Sequence, residues 1–89
     1  LKGRGAYFAD KSDKSHNYTS PGETDNTRVI YYSRVLMGKS CYLDEPDEEL
    51  SVTPKDCHSV IGRHDKNYTE YIVYRYGQAL PYLKIVYTV

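Results

Sequence analysis

The sequence has no tryptophan, one phenylalanine and one methionine, against eleven tyrosines. Much of its apolar area therefore sits in rings that carry a hydroxyl, which suit cores with wet edges and ligand clefts. No apolar run approaches the ~20 residues needed to span a bilayer, and the first residues show neither the charged n-region nor the apolar h-region of a secretory leader. Net charge is also lacking: twelve basic residues balance twelve acidic ones, so no overall field draws the chain to nucleic acid or an anionic membrane. The expectation is a soluble intracellular protein, of nucleus or cytoplasm, that binds neither directly. An initiating methionine is missing too, since the chain begins at Leu1, and a part of something longer is expected.

Cysteine is scarce. Cys41 and Cys57, without a leader, read as reduced thiols rather than as a disulfide framework. With His16, His58 and His64 they do not form the paired, short-spaced ligand sets of a zinc site, so no metal is expected. Adjacent residues such as Cys57 and His58 point to opposite faces of a strand and make a poor nucleophile-base pair. The two "NYT" sequons, at Asn17 and Asn67, are taken as accidental because nothing else indicates secretion.

Eighty-nine residues make one domain at most. "GAYFAD" reads as a short strand entered through glycines where backbone comes close to a neighbour. "GRG" also begins like a dinucleotide fingerprint, but Phe8 stands where the third glycine belongs. "DKSDKSHNYT" offers caps at Asp10, Ser12, Asp13 and Ser15 for one or two helical turns, and Pro21-Gly22 stops them. "TRVIYYSRVLMGKSCYL", rich in Val, Ile and Tyr, predicts a central strand buried on both faces, bent at Gly38. "LDEPDEELSVTPKD" predicts a solvated acidic loop, and "HSVIGRHDKN" a glycine-containing loop. "YTEYIVYRYG" and "YLKIVYTV" alternate as strands. The fold class is α+β, mostly antiparallel, with one short helix and no helical crossover for a parallel sheet.

Among groups that carry chemistry, Glu70 stands out, because alternation puts it on one strand face with Ile72 and Tyr74. A partly desolvated carboxylate beside an aromatic cleft can stabilise a developing oxocarbenium cation or orient a sugar hydroxyl. Tyr7 and Tyr18 can wall such a cleft and sandwich a flat heterocycle. Ser15, three residues before Tyr18, shares its helical face and can hydrogen-bond a stacked ligand, while Lys14 supplies positive charge.

Together, "GRGAYFADKSDKSHNYT", "VIYYSRVLMGKS", "HSVIGR" and "YTEYIVYRYGQALPYLKIVY" resemble, in order and spacing, the catalytic domain of poly(ADP-ribose) polymerases over nearly the whole chain. "HSVIGR" and "YRYGQALPYL" look most like tankyrase, whereas "SPGETDNTR" resembles the vault-associated member. The tankyrase zinc-binding cysteines have no counterpart here. The resemblance implies an ADP-ribosyltransferase fold and transfer of ADP-ribose from the co-substrate NAD+ to a protein acceptor or growing chain, with loss of nicotinamide. It assigns Tyr7 and Tyr18 to stacking on nicotinamide, Ser15 to its amide, and Lys14 and Glu70 to the catalytic group together with Tyr7, Glu70 holding the ribose hydroxyl. Of the family's His-Tyr-Glu triad, the histidine lies upstream of the matching segment, and His16, His58 and His64 do not match it. Residues 1–89 therefore read as the C-terminal part of the catalytic domain, whose partners are NAD+, protein acceptors and the remainder of that domain, without which the chain is expected to be inactive. The competing expectation is a non-catalytic module on the same fold that binds NAD+ or ADP-ribose, or acts as a scaffold.

Overall fold

The computed structural model describes residues 5–43, 53–63 and 68–89. Its elements run β1 (Ala6–Ala9), α1 (Ser12–His16), β2 (Arg28–Val35), β3 (Ser40–Leu43), β4 (Ser59–Arg63), β5 (Thr69–Val73) and β6 (Ala79–Tyr87). The fold is α+β, with one short helix and two sheets. The first sheet has strand order β1-β5-β4-β3 and the second is a β2-β6 ribbon.

The glycine before β1 has a steric cause: a Cβ on Gly5 would lie 2.5 Å from Ile72 Cγ2 and 2.8 Å from Val73 O. The close approach read from "GAYFAD" is thus to β5. In the first sheet β1-β5 and β5-β4 are antiparallel, while β3 runs parallel to β4, with Ser40 opposite Ser59 and Cys41 opposite Val60. Among the described residues three of the four strand pairings are antiparallel, in keeping with the mostly antiparallel fold expected, and β3-β4 is the parallel exception. The core of this sheet is small, with Val60, Ile72 and Ser59 fully buried and Val73 nearly so. Ser59 meets its polar need by sharing a hydrogen bond with Ser40, Oγ to Oγ 2.6 Å.

Three expectations need correction. The central strand predicted from "TRVIYYSRVLMGKSCYL" is two strands in different sheets, β2 and β3. Gly38 does bend the chain, at φ +56°, and a Cβ there would press on the His58 ring. β2 pairs only with β6, so Tyr31, Tyr32 and Arg34 face solvent. Between Tyr32 and Ser33 the register shifts, opposite Pro81, whose nitrogen has no hydrogen to give the ladder.

The loop expected at "HSVIGRHDKN" contains instead β4, an inner strand of the first sheet with Ser59, Val60 and Gly62 buried. Glycine and arginine gave it loop composition, but a partner strand on each side decides burial. Cys41 and Cys57, expected to be reduced, form a disulfide, their Cα atoms 5.9 Å apart. The parallel pairing of β3 with β4 brings them together, a long-range event that neither residue signals. The acidic segment 44–52, His64 and the second sequon at Asn67 lie outside the described residues.

The two sheets meet at Gln78. Its Nε2 donates to Leu36 O at 3.1 Å and His58 O at 2.8 Å, and its backbone carbonyl accepts from Leu36 N at 2.7 Å. One side chain thus ties the end of β2 to the approach to β4.

Candidate active site

Glu70 enters β5 one residue after the strand begins, opposite Ala9 on β1 and Gly62 on β4. Directly opposed residues share a sheet face, so the carboxylate is flanked by the two smallest side chains the alphabet offers, and nothing bulky crowds it. It is 8% exposed. Tyr7, opposite Ile72 on β1, lies on the same face as a diagonal neighbour of Glu70.

α1 faces this strand pair. Lys14 extends its Nζ to 3.8 Å from Glu70 Oε1, both side chains being largely buried. The same ammonium lies 5.6 Å from the centre of the Tyr18 ring and 5.4 Å from that of Tyr68, within reach of the electron-rich faces. Ser15 and Tyr18 follow on the same turn, closed by Tyr18 N–H donating to Ser15 O at 3.1 Å. The caps expected from Asp10 and Ser12 are not used: the N-cap position is Lys11, without a side-chain cap.

One cavity of about 1040 Å³ collects these groups, lined by Tyr7, Lys14, Ser15, Tyr18 and Glu70. All five residues singled out from the sequence therefore stand around a single space. Its opposite wall is β2, from Val29 to Ser33 with Val35, and Met37 beyond it. Sequence reading missed this wall, having assigned β2 to the sheet centre, and it missed Gly62. The one local signal in β4 was the β-branched pair Val60-Ile61, outweighed by the glycine and arginine that follow it.

Tyr68 and Asp13 were also missed: Tyr68 O–H donates to Asp13 Oδ2 at 2.8 Å, joining α1 to the approach to β5. Next to it Tyr71 O–H donates to Asp10 Oδ2 at 3.0 Å. Burial first, then that hydrogen bond and the Asp10 charge, push the Tyr71 hydroxyl above its ordinary value. The two described histidines are engaged away from the cavity. His16 Nδ1 shares a 2.6 Å hydrogen bond with the Tyr87 hydroxyl, and His58 Nδ1 accepts from Lys39 N–H at 2.9 Å. Among the described residues no group of three or more His, Cys, Asp or Glu side chains converges as metal ligands would.

A desolvated carboxylate, a paired ammonium, two tyrosine rings and a hydroxyl stand around an open cavity, a combination able to stack a flat ring and to hydrogen-bond polar groups beside it. The family profile described as "Poly(ADP-ribose) polymerase catalytic domain" matches residues 1–88. "Protein mono-ADP-ribosyltransferase PARP4" of Homo sapiens is 36% identical over 83 residues, which are 85% of this chain and 5% of that protein. The Mus musculus protein of the same name is 31% identical over 83 residues, 85% of this chain and 4% of its own length. Both are the vault-associated relative that "SPGETDNTR" resembles, and this chain spans only a small fraction of their length.

Proposed function

Because the chain belongs to the poly(ADP-ribose) polymerase catalytic-domain family, we propose that it is the C-terminal part of an NAD+-dependent protein ADP-ribosyltransferase. In this reading it holds nicotinamide and supplies the catalytic carboxylate. The observation that carries the proposal is the gathering of Glu70, nine-tenths buried, with Tyr7, Lys14, Ser15 and Tyr18 around one cavity.

Tyr7 and Tyr18 bind the nicotinamide ring by stacking, a cationic ring gaining from their quadrupoles, and the Ser15 hydroxyl bonds its amide. As the glycosidic bond breaks, positive charge develops on the ribose. The Glu70 carboxylate, accepting a hydrogen bond from the ribose hydroxyl, stabilises that charge in a water-poor setting where it is worth most. Lys14 fixes the carboxylate in place and balances its charge while the cavity is empty. The acceptor is a protein side chain or, if Glu70 supports elongation, a growing ADP-ribose chain. The names of the human and mouse relatives favour single transfer. The triad histidine and the adenosine side of the NAD+ site come from the remainder of the catalytic domain. An intracellular setting, nucleus or cytoplasm, belongs to the same proposal, and cell fractionation tests it. There the Cys41–Cys57 bond must withstand a reducing environment.

A second reading, a module that binds NAD+ or ADP-ribose without turnover, is favoured by one observation: neither described histidine lines the cavity. Measurement of NAD+ consumption and protein labelling by the full-length polypeptide separates the two. The transferase reading expects both activities, and expects Glu70→Gln to lower transfer about 10²–10³-fold while NAD+ still binds. Labelling at the wild-type rate by Glu70→Gln removes the role of Glu70, and NAD+ binding without consumption by the wild type supports the module.

A further inference from the structure

α1 cannot hold its place by itself. It has five residues and no side-chain cap at its start, far below the length at which a helix is stable alone. Yet it carries Lys14, whose ammonium reaches Glu70 at 3.8 Å. Lysine has a long, freely rotating stem, so some contact must restrict both the helix and the side chain.

Asp13 is placed to restrict both. Its Oδ2 accepts the Tyr68 hydroxyl at 2.8 Å, and its Oδ1 accepts the backbone N–H of Lys14 at 3.1 Å. One carboxylate thereby couples the residue that leads into β5 to the backbone of the lysine that faces β5. The bond also sets the Tyr68 ring, 5.4 Å from the Lys14 ammonium, with the Tyr18 ring 5.6 Å away. Two rings that attract the cation narrow its rotamers. The Asp10–Tyr71 bond, at 3.0 Å, ties down the chain just before the helix.

We propose that Asp13 and Tyr68 are positioning residues of this site: their hydrogen bond seats α1 on the approach to β5 and aims Lys14 at Glu70. The inference rests on the reading of Glu70 as the catalytic carboxylate. Without the bond Lys14 swings toward solvent, and Glu70 loses the fixed counter-charge that orients its oxygens into the cavity. A carboxylate-tyrosine bond near the surface is a modest interaction, so the expected kinetic effect is about fivefold to tenfold rather than abolition.

The test uses the full-length polypeptide and three variants, each checked for an unchanged thermal midpoint. Tyr68→Phe removes one hydroxyl and keeps the ring, Asp13→Ala removes the acceptor, and Asp13→Asn keeps a neutral acceptor. One readout is the rate at which an N-hydroxysuccinimide acetate acylates Lys14, measured by mass spectrometry against the other lysines. The other is kcat and KM for NAD+ consumption. Tyr68→Phe and Asp13→Ala are expected to raise Lys14 acylation about threefold or more and to lower kcat about fivefold to tenfold, with KM for NAD+ within about twofold. Asp13→Asn is expected to restore both, and the Asp13→Ala, Tyr68→Phe double variant to be no worse than Asp13→Ala alone, because Tyr68→Phe removes only a bond that Asp13→Ala has already removed. Wild-type acylation of Lys14 in both single variants, or additive losses in the double variant, overturns the proposal. If Glu70→Gln transfers at the wild-type rate, the catalytic reading fails instead, and Lys14 acylation still decides the positioning.

Discussion

Glu70 remains buried because its environment compensates it. The Lys14 ammonium is close by, and Ala9 and Gly62 leave space around it instead of apolar bulk. Tyr71, its neighbour, shows how the same strand uses its other face. Burial and the Asp10 bond raise its pKa above 10.0, so the neutral phenol is the form the fold prefers. A folded-state pKa above the unfolded one contributes stability that is complete below about pH 10 and lost as pH climbs through the folded value. Thermal midpoints measured from pH 8 to 12 should therefore show the advantage of the wild type over Tyr71→Phe shrinking above about pH 10. Parallel curves would mean that the phenol is not held this way. Tyr7, Ser15, Tyr18 and Glu70 were legible as candidates because each depends on local spacing: alternation on a strand, or three residues along a helical turn. Asp13 and Tyr68 were not, since fifty-five positions separate them and only the packing of α1 against β5 introduces them.

The elements divide in the same way. β1, α1 and β5 were legible from local pattern, and the alternation of β5 placed Glu70 with Ile72 on one face. β4 was hidden because "SVIGR" has ordinary loop composition and owes its burial to β3 on one side and β5 on the other. β2 misled in the opposite sense, since a strand of Val, Ile and Tyr reads as doubly buried whether or not two neighbours flank it. The disulfide belongs to this scale as well, for it staples β3 to the segment entering β4, its ends sixteen positions apart in sequence. Cross-linking a loop of that size stabilises by about 3 kcal/mol. Cys41→Ser, compared with the oxidised wild type in urea, should lose about that much, mostly as a lower midpoint. An unchanged midpoint would show that the bond does not form in solution.

At the scale of the molecule, the structure is open on one side. Its radius of gyration is 14.1 Å, against about 12 Å for a compact domain of this length. The β2-β6 ribbon leaves Tyr31, Tyr32, Leu80, Leu83 and Val86 each more than half exposed, spread over both of its faces. The proposal that a remainder of the catalytic domain completes the fold gives this surface something to bury against. The isolated 89-residue chain should accordingly enhance the fluorescence of an apolar dye severalfold more, per mole, than the full-length polypeptide does. Equal enhancement would show that the ribbon stays exposed in the longer protein.

The sequence by itself determined the α+β class, the short helix, the family and the five residues around the cavity, because alternation, turn chemistry and motif spacing are local and survive without a partner. The tertiary structure alone decided that β4 is an inner strand, that Cys41 meets Cys57, that β2 walls the cavity, and that Asp13 reaches Tyr68. Each of those depends on which strands lie side by side, and strand order is set by the burial of distant segments against one another, which no local stretch of residues specifies.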